Sequence, residues 1–506
     1  MPSTPPPPSS PSSDDTPSTT RSGGTWAELL SAEHRSAVTV FAGGITVFAV
    51  NTYLTAASLP SAVADIGGQR LYAWVMTVFL ITAVLASMLV TRALAQWGAR
   101  TAYLVAFGTF GLGSLVCALA PTMPIMLVGR AVQGLGGGLL TGLAFTVIRI
   151  ALPERLWVRG VGLTSAMWGV GNLIGPVLGG FFGQIGFWRG AFWVLVAATA
   201  VIAILAARAL PAGRAGADTR PDPLPLPSLA LVLAATVTVS IASIVDGIVP
   251  MGILVATAAG ILILFVAVDR SRTIRLLPHL VYTSGSPLKW IYLAIAILAI
   301  GSTSETFIPL FGQEIAGMAP LIAGLLGAAI SWGWSIAQLS STTWAHGRRS
   351  AVVRVAGPAF LATGLAGYGL LQGSSTPAAI AGWFAVLVVA GTGIGMAFPH
   401  FATAAMTITT DDAEAARASA GVNTVQMVAN TLGSALAGLL VSVGAAVHDG
   451  SVVASARYLS FGFAALAAVG VGVAVASLRR PAQPPAPPGA VSDSARPATD
   501  VGRTHE

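Results

Sequence analysis

The run GVGNLIGPVLGG, residues 169–180, sets five glycines and one proline inside a single apolar stretch long enough to cross a bilayer. In water this would be a poor helix, because Gly costs about 1 kcal/mol against Ala in a helix interior and Pro about 3 kcal/mol. In lipid the same residues are useful. Small side chains let helix backbones approach closely, and a proline lets the helix bend. A spanning helix that packs tightly and bends suggests a moving part of a transporter.

Composition points the same way. Of 506 residues, 54% are hydrophobic and 9% are charged, against about 25% charged in a soluble domain. The apolar residues recur in segments of about 20, the length that crosses roughly 30 Å of hydrocarbon. Crossings are expected at 36–59, 71–91, 101–120, 123–147, 160–183, 190–209, 228–247, 251–268, 288–309, 319–340, 351–371, 377–399, 419–446 and 456–478. The pair at 228–268 is joined by a very short connection, and the other twelve would stand without it. The expected class is an all-α polytopic membrane protein.

The net charge of +7 would suggest a nucleic-acid partner in a soluble protein. Here the basic residues sit in short connections between apolar runs, so the expected partner is the lipid bilayer and no nucleic acid. With the N-terminus inside, sixteen Arg and Lys between Arg92 and Arg417 fall in inside connections, against Arg70, Arg189 and Arg457 outside. This asymmetry predicts a multi-pass cell-membrane protein with both termini cytoplasmic. The single cysteine, Cys117, excludes an internal disulfide and a multi-cysteine metal site. No cofactor or metal is expected. The Pro-, Ser- and Thr-rich start has no basic-then-apolar leader pattern.

The layout expected from these breaks has five parts: a disordered cytoplasmic tail at 1–35, a six-helix half at 36–209, cytoplasmic linkers with an inserted helix pair at 210–287, a second six-helix half at 288–478, and a disordered tail at 479–506. The halves form a weak repeat. GLGGGLLTG at 134–142 and GTGIGMAFP at 391–399 occupy the fourth span of each half. Paired six-span halves are one pattern of secondary transporters.

Particular stretches carry a resemblance. Gly171, Gly175, Pro176, Gly179 and Gly180 match in full the glycine–proline signature on the fifth helix of drug:proton antiporters in the major facilitator superfamily. NTYLTAASLP at 51–60, AWVMTVFLITAVL at 73–85, GRAVQGLGGG at 129–138, FWRGAFW at 187–193, FIPLFGQEIAGMAPLIAGLL at 307–326 and ASAGVNTVQMVANTLGSALAGLL at 418–440 are similar, in order, to segments of its fourteen-span branch. The resemblance covers about residues 40 to 445. It implies the major facilitator fold, two six-helix halves with an inserted pair, and efflux of drugs against protons. Two departures stand out. The loop after the second span, TRALAQWGAR at 91–100, keeps Gly98 and Arg100 of the family's gating loop but has Ala95 where the family has Asp. The first span has Asn51 where the branch has Asp, and an Asn cannot titrate.

Glu305 is the sharpest candidate, a carboxyl in the ninth span just before Pro309. Acids at membrane depth are costly and mark functional positions, so Glu305 is expected to couple protons; the alternative is a carboxylate near the outer surface that reaches water. Arg130, Gln133 and Gly134 share one helix face at i, i+3 and i+4. Arg130 is either a fixed charge beside an acid or anion, or a hydrogen-bonding post between helices. The glycine–proline signature has a packing role and no chemistry. Substrate-path candidates are Asn51, Gln313, Trp334, Gln338, Asn423 and Gln426. Ser331, Trp334, Ser335 and Gln338 share one stripe, and Asn423, Gln426 and Asn430 another; interhelical bonding is the alternative for both. Asp269 and Arg270 are placed at the cytoplasmic edge of their span, Asp246 at the outer face, and His400 at an interface.

The expectation is a secondary transporter, not an enzyme, that exports a lipophilic small molecule in exchange for protons by alternating access and functions as a monomer. Export of a lipid or cell-envelope component, import or uniport of a small metabolite, and a non-transporting scaffold stand as alternatives. The glycine run at 134–138 lacks the Lys-Ser/Thr pair of a phosphate loop, and no HExxH pattern is present.

Overall fold

The computed structural model describes residues 25–210, 223–341, 347–409 and 411–478. The connector at 211–222, the expected tails at 1–24 and 479–506, and the inside residues Arg214 and Arg220 lie outside these. The helices are α1 (Trp26–Leu29), α2 (Arg35–Ile66), α3 (Tyr72–Ser87), α4 (Val90–Leu119), α5 (Met123–Ala151), α6 (Glu154–Gln184), α7 (Arg189–Ala209), α8 (Leu226–Ala242), α9 (Ile248–Ser271), α10 (Leu288–Ser302), α11 (Ile308–Ala316), α12 (Pro320–Ser341), α13 (Gly347–Leu371), α14 (Pro377–Met406), α15 (Asp412–Val447) and α16 (Val452–Ser477). Thirteen helical segments among the described residues are long and apolar enough to cross a membrane. The fourteenth expected crossing is α8, an apolar helix of 17 residues, short of the ~20 that span the hydrocarbon without thinning it.

Two spans and one tail segment differ in form from the sequence expectation. Residues 90–97, expected as a loop, are helical and continue into α4 through a corner at Gly98, whose φ of 73° and ψ of 167° are closed to side-chain-bearing residues. The ninth span is broken. α10 ends at Ser302, a 3-10 turn covers Thr303–Thr306, and α11 restarts with Pro309 in its first turn. Residues 26–29, assigned by sequence to the tail, form α1. Leu29 is fully buried against Phe41, Ile148, Leu152 and Leu156, and Glu28 meets Arg155.

The chain forms two compact units, Met1–Thr55 with Ile81–Asp222, and Ala56–Leu80 with Pro223–Glu506. They divide α2 and α3 along their lengths, whereas span order alone divides the chain at 210–287. The start of α3 shows why it clusters with the second unit. Trp74 Nε1 donates to the Ser240 carbonyl at 3.0 Å, and Thr77 Oγ1 to Ser434 Oγ at 3.1 Å. Arg70 pairs with Asp246 at 3.0 Å, and both side chains are exposed. Asp246 is thus at the surface, as expected.

Each unit is closed by glycine contacts. In the first, a Cβ on Gly138 would run into the Ala83 carbonyl on α3, and one on Gly136 into the Phe110 backbone on α4. In the second, a Cβ on Gly391 would run into the Ile330 carbonyl on α12, and one on Gly393 into the Gly357 carbonyl on α13. The two glycine runs that repeat in the sequence therefore do the same work, letting α5 and α14 each lie against two neighbours. The glycine–proline signature does this for α6. Gly171, Gly175, Pro176, Gly179 and Gly180 are all buried, while Leu173, Ile174 and Val177 between them are exposed. Gly171 abuts Ala49, and a Cβ on Gly175 would lie 2.7 Å from Tyr53 Cβ.

Asp269, placed by sequence at a water-facing edge, is fully buried at the end of α9. Its carboxylate accepts from the Leu276 and Leu277 amides at 2.7 and 3.2 Å and from the Tyr282 hydroxyl at 2.7 Å. It folds the basic connector 272–287 back on itself, and burial with the nearby carboxylate raises the Tyr282 hydroxyl above the ordinary phenol range, so it stays a donor. His400, expected at an interface, is buried inside α14, with ring nitrogens 3.1 Å from Ser350 Oγ and 3.2 Å from the Ser341 carbonyl. Asp411 caps α15 by accepting from the Glu414 amide at 2.8 Å.

Two predictions follow from this packing. Gly138→Val should destabilise the protein by about 3 kcal/mol through overpacking, whereas Gly252→Ala, where a Cβ meets nothing within 4 Å, should stay within about 0.5 kcal/mol of wild type. Thermal melting in detergent compares them. Asp269→Ala strands three donors and should cost about 3 kcal/mol, together with faster proteolysis in the connector 272–287.

Candidate functional site

Among the described residues, each unit holds a polar cluster within its apolar spans. The first is built from α2, α4 and α5. Asn51 and Thr55 are one turn apart on α2, Ser114 is on α4, and Arg130 and Gln133 lie at i and i+3 on α5. All five are fully buried. Arg130 Nη1 donates to Gln133 Oε1 at 2.7 Å, Asn51 Oδ1 at 3.0 Å and Thr55 Oγ1 at 3.3 Å. Gln133 Nε2 in turn donates to Ser114 Oγ at 2.8 Å. The two glycines Gly113 and Gly129 bring α4 and α5 close enough for this last bond, since a Cβ on Gly113 would lie 2.7 Å from the Gly129 carbonyl. Arg130 and Gln133 thus sit on one face as the spacing predicts, with Gly134 buried beside them.

This geometry bears on both readings of Arg130. It is a hydrogen-bonding post that ties α5 to α2. It is also a fixed positive charge whose contacts here include three neutral oxygens. Asn51, a substrate-path candidate by sequence, is bound into this cluster and has no exposed surface. Its Nδ2 is buried and has no partner among the described residues.

The second cluster surrounds the break between α10 and α11. Ser302, Thr303 and Ser304 turn their hydroxyls back onto the carbonyls of Ala299, Ile300 and Gly301, at 2.8, 2.7 and 2.8 Å. These bonds satisfy carbonyls where the helix tightens. Tyr72 donates to the Thr306 carbonyl at 3.3 Å, and its ring lies 4.9 Å from that of Phe307. Within this covered turn Glu305 alone keeps partial exposure; its neighbours at 302–304 and 306 are buried. Its Oε2 accepts from Ser331 Oγ of α12 at 2.9 Å.

One turn along α12, Trp334 and Gln338 continue the stripe, with Trp334 Nε1 donating to Gln338 Oε1 at 2.8 Å. Phe398 of α14 lies 6.1 Å from the Trp334 ring at a tilt of 50°. These three side chains are partly exposed and combine two inclined aromatic rings with one amide. Gln313 of α11 has a buried Nε2 with no partner among the described residues. On α15, Gln426 is partly exposed and Asn423 is exposed, with its amide 3.6 Å from Met427 Sδ. In the segment expected from the resemblance to gate, Arg100 Nε is buried and has no partner among the described residues.

Long apolar spans, two glycine-closed bundles and membrane-depth polar clusters are the frame in which the comparisons with known proteins fall. The Major Facilitator Superfamily profile matches residues 40–434. The chain belongs to that superfamily. It is 41% identical over 461 residues to a protein of Mycobacterium tuberculosis named as a probable multidrug-efflux transporter, a match covering 90% of this chain and 96% of that one. Solved structures share the fold at low identity. A nucleoside transporter superposes with a TM-score of 0.62 at 11% identity, covering 88% of this chain and 100% of that one. A D-xylose–proton symporter gives 0.62 at 15%, covering 88% and 98%. The chain is therefore a multi-pass membrane transporter of the major facilitator fold, a family of carriers.

Sequence spacing located Glu305, Arg130 and Gln133 but missed their partners. Thr55 carried a signal, since it lies four residues after Asn51 on one helix face. Ser114 is brought to Gln133 by helix packing and has no local signal, and neither does the meeting of Ser331 with Glu305. A double-mutant cycle checks the first cluster. Arg130→Met and Asn51→Leu should each lower stability by about 2 kcal/mol, and the double variant should cost at least about 1 kcal/mol less than their sum, read as melting temperature in detergent.

Proposed function

We propose that this superfamily member exports lipophilic small molecules in exchange for protons, by alternating access. It works as a monomer in the cell membrane with both termini cytoplasmic. The observation that carries the proposal is Glu305, a partly exposed residue in the break of an apolar span, whose carboxyl accepts from Ser331 through one oxygen. Intramembrane acids of this kind mark proton and substrate pathways. The break supports the same role, because irregular backbone at depth is tolerated where protein or a water-filled cavity covers it.

The Trp334–Phe398 surface supports a lipophilic, flat ligand, and an aromatic face attracts a cation. The name carried by the mycobacterial relative supports efflux. Glu305 releases a proton on one side of the membrane and takes one up on the other, and binding of a cationic ligand competes with the proton for the same carboxylate. Arg130 stays charged and holds α5 to α2 throughout.

The test uses purified protein in liposomes with an imposed pH gradient and ethidium as the lipophilic probe. Wild type should move ethidium against its gradient, and Glu305→Gln should lower that movement at least about tenfold, because a Gln side chain cannot carry the exchanged proton. Full gradient-driven movement in the variant would refute the role of Glu305. Movement in wild type that ignores the pH gradient would instead indicate uniport or lipid translocation.

A further inference from the structure

The carboxyl of Glu305 is oriented by a residue from another helix. We infer that Ser331 is the positioning residue for Glu305, holding its carboxyl in one place in both the protonated and the ionised form. This rests on the proton-coupling role of Glu305 proposed above.

Ser331 is buried on α12, and its Oγ lies 2.9 Å from Glu305 Oε2. The hydroxyls of Ser302, Thr303 and Ser304, on the same turn, all bond to carbonyls one turn back. Ser331 is thus the side chain that reaches the carboxyl among the described residues. Its helix is fixed there by a close contact. Gly327, one turn before Ser331, packs on the Pro309 ring, where a Cβ would lie 2.8 Å from Pro309 Cγ and 3.6 Å from the Glu305 carbonyl. Gly391 and Gly395 of α14 also press against the Ile330 and Trp334 carbonyls of α12. α12 is therefore held by close contacts with both α11 and α14 next to Ser331, which fix the hydroxyl near the turn at Thr303–Thr306.

A serine hydroxyl suits this task because it both donates and accepts. To an ionised Glu305 it donates, as the geometry shows. When the carboxyl gains a proton, the acid O–H donates to Ser331 Oγ, and the serine proton rotates away. The heavy atoms keep their places, so the proton is loaded and released without rearranging the turn. An alanine can do neither, and the carboxyl would then rotate freely about its own side-chain bonds.

Two assays in liposomes separate positioning from packing. One is ethidium efflux driven by a pH gradient, which needs proton release and uptake. The other is ethidium counterflow at equal pH, which needs only substrate binding and the conformational cycle. Ser331→Ala should lower the maximal rate of gradient-driven efflux roughly tenfold, the effect of losing one hydrogen bond to a charged group. Its ethidium counterflow should fall much less, about threefold at most, because the carboxylate can still meet the cation without exchanging a proton. Ser331→Thr, which keeps the hydroxyl, should restore most of the rate. If Ser331→Ala fails to accumulate, Ser331→Cys keeps the volume with a weak donor and carries the same expectation.

Equal losses in both assays would mean a packing role and would overturn the inference. So would wild-type behaviour of Ser331→Ala beside a Glu305→Gln protein that has lost gradient-driven efflux. That result would leave the role of Glu305 intact. Gradient-driven efflux that survives Glu305→Gln would remove both.

Discussion

Inside a bilayer no water is available to a backbone N–H or C=O, so every peptide group must find its partner within the protein. The whole architecture follows from this demand. It makes each span a helix, and it sets the terms on which a helix can be interrupted. The ninth span is interrupted at Thr303–Thr306, and the interruption is covered from its own sequence and from beyond it. Three hydroxyls fold back onto carbonyls at 299–301, and Tyr72 supplies a donor to Thr306. A break so covered can present an acid without exposing bare backbone to lipid.

Lipid removes the hydrophobic drive that packs soluble helices, because a lipid tail is as apolar as a leucine. Close backbone contact takes its place. α5 and α14 carry glycines on more than one face, and each lies against two neighbours at distances that a methyl group would forbid. The same contacts set the polar geometry. Gly113 and Gly129 bring α4 and α5 near enough for Gln133 to reach Ser114, and Gly327 seats α12 so that Ser331 meets Glu305. Packing and chemistry here have one cause.

The two polar clusters differ in kind. Around Arg130 every named side chain is fully buried, the bonds are many, and the charge is permanent. Such a site suits a fixed joint. Around Glu305 the residue is partly exposed, and among the described residues its carboxyl accepts from Ser331; Trp334, on the same helix as Ser331, lies against Phe398. Such incompleteness fits the proton exchange proposed for this carboxyl.

Much of this was legible in the sequence, because membrane spans are written in local apolar length and glycine spacing. The spans, the paired glycine runs, the superfamily resemblance and the isolated Glu305 needed no coordinates. The pair at 228–268 stood out for its short connection; of the two, α9 is long enough to cross and α8, at 17 residues, falls short. Interruption inside an apolar run was not legible. Pro309 hinted at it, but hydroxyls at 302–304 can serve a continuous helix as well as a broken one, and only the backbone path distinguishes them. The burial of Asp269 and His400 was hidden for a related reason, since a polar residue near a span end reads as solvated until a folded connector or a neighbouring helix covers it. The sequence by itself determined which segments enter the membrane and which residues carry charge there, because transfer into lipid is decided residue by residue. The tertiary structure decided what those charges touch, because Ser114, Ser331 and Tyr72 reach their partners through helix contacts whose register no local spacing records.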